Sequence, residues 1–391
     1  MNLLPRQLLL TNAHVVMPSV VWEAGWLLCH REKIVDLAPG DAPHIADAEV
    51  VDAGGRTLLP GFIDLHVHGA LGYEAMDATP EALQCMAEFY AQHGVTSFLP
   101  TTWSASHEDI LAALTNIAEM RGALPNGATI LGAHLEGPYL NPEKCGAQSL
   151  EHIRRAEMRE AKQLLALDVI RLLALAPEYE ESRWLIEECV RRSITVSAAH
   201  TAATYNDMIQ AVELGVRQTT HTYNAMRGLH HREPGTLGAA LTMPKLKCEL
   251  IADNIHVHPA AMQILFALKG VDGIILVSDA VRGAGLPEGS QYLLNDRTVV
   301  IREGSAYLAD GTLAGSTLTM ERALRNFMLA TGQLLEAVWP ASSLNAARAI
   351  GVDNRKGSLE IGKDADFVLV DADLNVYLTV AEGRIVYQKD V

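Results

Sequence analysis

The sequence predicts an α/β protein: a (β/α)8 TIM barrel with a small β-sandwich domain formed from both chain ends. Two observations carry this. Eight short apolar runs alternate with longer helical stretches through the middle of the chain, and both ends read as β-type runs punctuated by Gly, Pro and Asp. A third makes it affordable in core volume: 49% of the 391 residues are hydrophobic and only 20% charged, enough for one large domain with a small companion.

Residues 1–58 contain LLLTNAHVV, WLLCHREKIVDLAP and AEVVDAGGRTLLP, with no helical period, and predict a small antiparallel sheet. The opening MNLLPRQLLLTNAHVV is interrupted by Pro5, Arg6, Asn12 and His14 and lacks a small-residue cleavage site. It reads as a strand rather than a signal peptide. From Pro60 the buried-strand candidates are FIDLHVH (62–68), TSFLPTT (96–102), TILGAHLEG (129–137) and VIRLLALAPE (169–178), then ITVSAAHT (194–201), RQTTHTYNA (217–225), CELIADNIH (248–256) and GIILVSDA (273–280). Eight such units match a closed barrel better than an open doubly wound sheet, which has fewer strands and a Gly-rich phosphate turn. After Ile350 the chain returns to β-type runs. The expected division is 1–58 with 352–391 as the β-sandwich domain and 59–351 as a metal-dependent barrel hydrolase domain.

Charge excludes some functions. With 31 Lys plus Arg against 47 Asp plus Glu, the net charge of −16 disfavours binding to a nucleic-acid backbone. No apolar run reaches the roughly 18 residues of a membrane span. The five cysteines are an odd number without a CxxC pair, which argues for a reducing compartment, the cytoplasm, over a disulfide framework.

Function in a barrel sits at the C-terminal ends of its strands, and here those ends are polar. The runs finish in His66 and His68, Glu136, His200, His221, Asp253 and His256, and Asp279. A lone buried histidine is ordinarily a satisfied core residue; several imidazoles and carboxylates converging on one mouth favour a metal site. Glu136, His200 and His221 supply the three protein ligands that a catalytic divalent ion needs. His66 and His68, two apart on a strand, face the same side, either clasping a second ion or simply lining the mouth. A bound divalent ion lowers the pKa of water from about 15.7 towards about 7 and polarises a carbonyl oxygen. Asp279 is the candidate general base and acid, with helix capping or direct metal ligation as its alternatives. The loop HTYNAMRGLHHREPG (221–235) gathers Arg227, His230, His231 and Arg232 into a local positive cluster, read either as a phosphate contact or as a solvated loop.

The stretches PGFIDLHVHG (60–69), HLEGPYLNPEK (134–144), AAHT (198–201), HTYNAM with HHREPG (221–226 and 230–235), IADNIHVHP (251–259), SDAVRGAGLPEG (278–289), LADGTLAGSTLTM (308–320) and GSLEIGKDADFVLVD (357–371) together resemble the N-acetylglucosamine-6-phosphate deacetylases of the amidohydrolase superfamily. The resemblance runs nearly end to end. It implies that Glu136, His200 and His221 hold the main metal, Zn²⁺ first and Fe²⁺ among the others. Asp279 would be the acid/base. Ala147, Asn224, Ala225, Arg232, His256, Leu313, Ala314 and Gly315 would contact the sugar phosphate, with Arg232 or His256 reaching across a homodimer. The retained His66 and His68 leave room for a second ion. Many two-metal enzymes of this fold use a carbamylated lysine on the fourth strand, yet that run ends LLALAPE, so bridging would fall to Glu136. The family's KGAH reads CGAQ here, with Cys145 and Gln148; Gln148 would be a neutral donor to the developing oxyanion. Asn254 stands where glycine is usual. The expected reaction is hydrolysis of N-acetyl-D-glucosamine 6-phosphate to D-glucosamine 6-phosphate and acetate. The rivals are the galactosamine epimer, a cyclic amide, or a metal-free scaffold.

Overall fold

The computed structural model describes residues 7–294 and 296–389. Eight barrel strands occupy the expected runs: β1 (Phe62–Val67), β2 (Val95–Pro100), β3 (Ala133–Glu136), β4 (Ile170–Leu175), β5 (Thr195–Ala198), β6 (Gln218–Thr219), β7 (Lys247–Leu250) and β8 (Ile274–Leu276). Parallel ladders join β1 to β2 and run without a break from β3 to β8. Two bridges complete the ring. Thr101 pairs with His134 between β2 and β3, and Val67 pairs with Ala280 between β1 and the end of β8. At that last seam His68 N–H donates to Ala280 O (2.7 Å) and Asp279 N–H to His66 O (2.9 Å), which draws the first and eighth strand ends together. The result is a TIM-barrel-like α/β fold.

Three of the crossover helices begin at a side-chain cap that the sequence offers. Thr79 Oγ1 accepts from Ala82 N–H at the start of Pro80–Gln92, Ser106 Oγ from Asp109 N–H before His107–Met120, and Thr204 with Asp207 forms a capping box before Tyr205–Leu214. The first of these helices buries Leu83, Met86, Ala87 and Tyr90 against the barrel, a spacing that keeps them on one face.

Both chain ends enter one sheet. Its order is Arg384–Gln388, Val376–Ala381, Phe367–Val370, Thr57–Pro60, Gln7–Val16, Val21–His30 and Lys33–Pro39, with Glu49–Asp52 also paired to Gln7–Val16. The N-terminal part is not purely antiparallel, which corrects the sequence expectation: Glu49–Asp52 and Thr57–Pro60 both run parallel to Gln7–Val16. Alternation reports which face is buried, not strand direction, and the connection 40–48 is long enough to bring the chain back in the same sense. Residues 1–6, the start of the opening run, lie outside the described residues.

Lys356 ties this sheet together from inside. Its side chain is fully buried, with Nζ 2.6 Å from Asp366, 3.0 Å from Glu382 and 3.1 Å from Asp364. Burial would lower the lysine pKa, yet Asp366, Glu382 and Asp364 raise it above its ordinary value. A folded pKa above the unfolded one means that the stabilisation is complete below the unfolded lysine value and fades only as pH rises through the folded one. Lys356→Ala strands the carboxylates and should lower stability by about 3–5 kcal/mol. Chemical denaturation at pH 7 checks this; an unchanged midpoint would contradict it.

Between β8 and the final helices lies a four-stranded antiparallel sheet that the run-counting did not anticipate: Gln291–Leu294, Arg297–Arg302, Ser305–Leu308 and Leu313–Ser316. Its last strand is pinned to the mouth by Ser316 N–H to Asp279 O (2.8 Å) and Val281 N–H to Ser316 O (3.1 Å). The guanidinium of Arg297 reaches Ala147 O across the mouth.

Candidate active site and metal centre

The polar strand ends converge. His66 and His68 close β1, Glu136 ends β3, and His200, His221 and Asp279 each sit two or three residues beyond their strands. Those last three adopt left-handed backbone, with φ of 41°, 31° and 49°. Such non-glycine residues cost roughly 1–3 kcal/mol each and persist only where neighbours fix them. Here His200 Nδ1 meets Lys144 O (2.7 Å), His221 N–H donates to Glu249 Oε2 (3.1 Å), and Asp279 N–H is held by the β1 seam. After Glu136 the chain turns at Gly137 (φ 79°), where a Cβ would lie 2.2 Å from Ser104 Oγ, so the close packing behind Glu136 requires glycine.

Two donor sets share Glu136. In the first, Glu136 Oε1 lies 3.2 Å from His221 Nε2 and 3.3 Å from His200 Nε2, which are 3.1 Å apart. Bonds of roughly 2.0–2.1 Å in a tetrahedral site put ligand atoms about 3.3 Å apart, so these edges suit a Zn²⁺-sized ion. Glu136 Oε1 is buried and accepts no hydrogen bond, an orphaned anionic oxygen among imidazole nitrogens. In the second set, His66 Nε2 and His68 Nε2 are 3.2 Å apart. Asp279 Oδ1 lies 3.4 and 3.3 Å from them, and Glu136 contributes Oε1 at 3.5 Å and Oε2 at 3.4 Å. The residues present therefore fit a divalent metal.

Electrostatics agree. Burial alone would push the carboxylates up and the imidazoles down. Instead the charge of His66 and the close imidazoles of His200 and His221 hold Glu136 well below its ordinary value. His66 and His68 hold Asp279 at about 2. His66 rises well above its usual pKa, and His68 and His221 rise too, drawn by Glu136 and Asp279. The cluster favours positive charge at its centre. Around it, burial raises Asp64 to about 7 despite hydrogen bonds from Ser278 and His66, and burial together with charged His66 lowers His134 well below its usual value.

A cavity of about 340 Å³ opens onto this cluster. Six of the eight expected substrate contacts line it: Ala147, Asn224, Ala225, His256, Leu313 and Gly315. His256 is aimed by Asp253, whose Oδ2 meets Nδ1 at 2.6 Å. Two do not line it. Ala314 packs into the apolar cluster with Val299 and Ile301, since neighbours on a strand face opposite ways. Arg232 is exposed, its guanidinium 2.9 Å from His231 rather than at the cavity. Arg227 is also occupied elsewhere, donating to Ala202 O at 2.6 Å.

Gln148 requires a correction. It is buried and does not line the cavity: Nε2 donates to Glu136 Oε2 (2.7 Å) and Oε1 accepts from Ser104 N–H (2.7 Å). Its NH₂ group is engaged with the shared carboxylate, not directed into the cavity where an oxyanion would develop. Sequence reasoning missed Lys144 and Trp103 on the cavity wall, Trp103 stacked on His68 at 3.8 Å. It also missed Glu249, a carboxylate inside an apolar strand, where the charge in KCELIA was the available signal.

Residues 57–386 match the amidohydrolase family. The chain is 39% identical over 344 residues to an N-acetylglucosamine-6-phosphate deacetylase of Lysinibacillus sphaericus, covering 88% of each chain. It is 40% identical over 365 residues to an N-acetylgalactosamine-6-phosphate deacetylase of Escherichia coli O157:H7, covering 93% of this chain and 96% of that one. A solved structure of a single-substitution mutant of the N-acetyl-D-glucosamine-6-phosphate deacetylase of Mycobacterium smegmatis, in complex with N-acetyl-D-glucosamine-6-phosphate, superposes with a TM-score of 0.90 at 30% identity, covering 97% of this chain and 99% of that one.

Proposed function

Because this chain belongs to the amidohydrolase family, we propose that it hydrolyses N-acetyl-D-glucosamine 6-phosphate to D-glucosamine 6-phosphate and acetate. The observation that carries the proposal is the shared carboxylate of Glu136, set 3.2–3.3 Å from His221 and His200 at the floor of a cavity with Asp279 on its wall. Glu136, His200 and His221 would hold the main ion, Zn²⁺ by their N₂O donor set, and His66, His68 and Asp279 surround a second position. A bound ion supplies an electrophile for the amide carbonyl and acidifies water. Asp279, ionised at neutral pH, accepts the proton of the attacking water and returns it to the amine as the C–N bond breaks. Asn224 and His256 bind the sugar phosphate, the imidazole fixed by Asp253.

The same reading includes a homodimer in which the exposed Arg232 meets a neighbouring copy's substrate, and a cytoplasmic setting consistent with five free cysteines. It also includes the division at 1–58 with 352–391 against 59–351, the end sheet closing over Leu8, Leu27, Leu58 and Phe367 as a sandwich.

The galactosamine epimer is the second reading, favoured by the 40% identity to a deacetylase named for it. Steady-state kcat/KM on the two 6-phosphates decides. A value at least about tenfold higher for the glucosamine epimer is expected; the reverse ranking would reassign the substrate.

A further inference from the structure

Glu249 lies in β7 with its side chain fully removed from solvent. A buried carboxylate costs several kcal/mol unless its oxygens are paired, so its partners are the clue to its role. Oε1 accepts from the Gln218 amide. Oε2 has two partners: His66 Nδ1 at 3.1 Å and the backbone N–H of His221 at 3.1 Å. Its own carbonyl accepts Thr222 N–H at 2.9 Å. One oxygen thus touches a residue from each donor set.

We propose that Glu249 is a positioning residue that presets both halves of the metal centre and enables the His66–His68 set to take a second ion. The proposal rests on the metal-dependent reading above. A ligating imidazole is neutral and a carboxylate oxygen only accepts, so in the metal-holding form the single proton of the His66 ring sits on Nδ1. Nε2 then carries the lone pair, directed at His68, Asp279 and Glu136. Without this acceptor the ring is free to take the other tautomer, whose Nε2–H donates to Glu136 or Asp279 and closes that ligand position. The same oxygen holds the peptide of His221 in its left-handed conformation, the one that turns its ring onto Glu136. Carboxylates behind ligating histidines tune metal affinity in this way.

The test is zinc titration of the chelator-stripped full chain, counting ions and affinities. The wild type should take two ions. Glu249→Ala should weaken the second ion by about 10–100-fold. Glu249→Gln should stay within a few-fold of wild type. Its amide oxygen still accepts from His66 and His221, and its NH₂ can face Gln218, whose Oε1 is buried without a partner. Unchanged second-ion affinity in Glu249→Ala overturns the proposal, as does a Gln variant no better than Ala. One ion at saturating zinc in the wild type overturns it while leaving the deacetylase reading intact; no ion at all removes that reading as well. Should Glu249→Ala fail to fold, ¹⁵N histidine spectra of the zinc-loaded wild type decide directly. They should show the His66 proton on Nδ1, and a proton on Nε2 refutes the brace.

Discussion

Glu136→Ala should leave the purified chain without stoichiometric metal and lower kcat/KM for N-acetyl-D-glucosamine 6-phosphate by more than about a thousandfold. The reasoning is geometric. Oε1 lies 3.2–3.5 Å from His221, His200 and His66, and Oε2 lies 3.4 Å from His68. Removing a supporting residue behind a ligand typically costs roughly 10–100-fold in affinity or activity; removing a donor common to both sets must exceed that. It also leaves four imidazoles crowded without their central anion, so the raised pKa values of His66, His68 and His221 should fall as their partner goes. Elemental analysis beside steady-state kinetics checks both halves. A variant with its full complement of metal and activity within tenfold of wild type would remove Glu136 from the centre.

Asp279→Asn separates chemistry from metal loading. Proton transfer by a positioned group contributes about 10²–10⁴-fold, so kcat and kcat/KM should fall together by that amount while KM changes little. The first ion should remain, because Glu136, His200 and His221 keep their mutual spacing of 3.1–3.3 Å without help from Asp279. The sign of the pH effect follows from the depressed carboxyl. A folded pKa of about 2, below the unfolded one, means that ionised Asp279 stabilises the fold above the unfolded carboxylate value and that this contribution is lost as pH falls through about 2. Asp279→Asn should therefore reduce the pH dependence of stability in the acid range. Wild-type turnover in the variant would show that the proton travels by another route.

Much of this site was legible before the fold because the barrel has a rule: strand ends point into the mouth. His66, His68, Glu136, His200, His221 and Asp279 were found by reading the last residues of apolar runs, and the structure brings them together. Hydrogen-bond direction was not legible. Gln148 carries a donor wherever it points, and only the fold shows that donor meeting Glu136. Arg232 lies in a basic loop close in sequence to His221, but sequence proximity does not fix where a long side chain ends. The antiparallel sheet over 291–316 was overlooked for a different reason. Counting barrel strands stops at eight, although Glu303-Gly304 and Asp310-Gly311 mark its turns, with φ of 52°, 76° and 86° at Glu303, Gly304 and Gly311. Glu249 was hidden inside a run scored only for its apolar neighbours.

The central claim is that this protein's amide chemistry depends on an ion gripped through Glu136. The most direct test strips the full chain with a chelator and follows acetate release from N-acetyl-D-glucosamine 6-phosphate before and after adding back Zn²⁺. The structure predicts that release falls to background when metal is absent and returns as the Glu136–His200–His221 set is refilled. Undiminished acetate release from protein verified to hold no metal would contradict it.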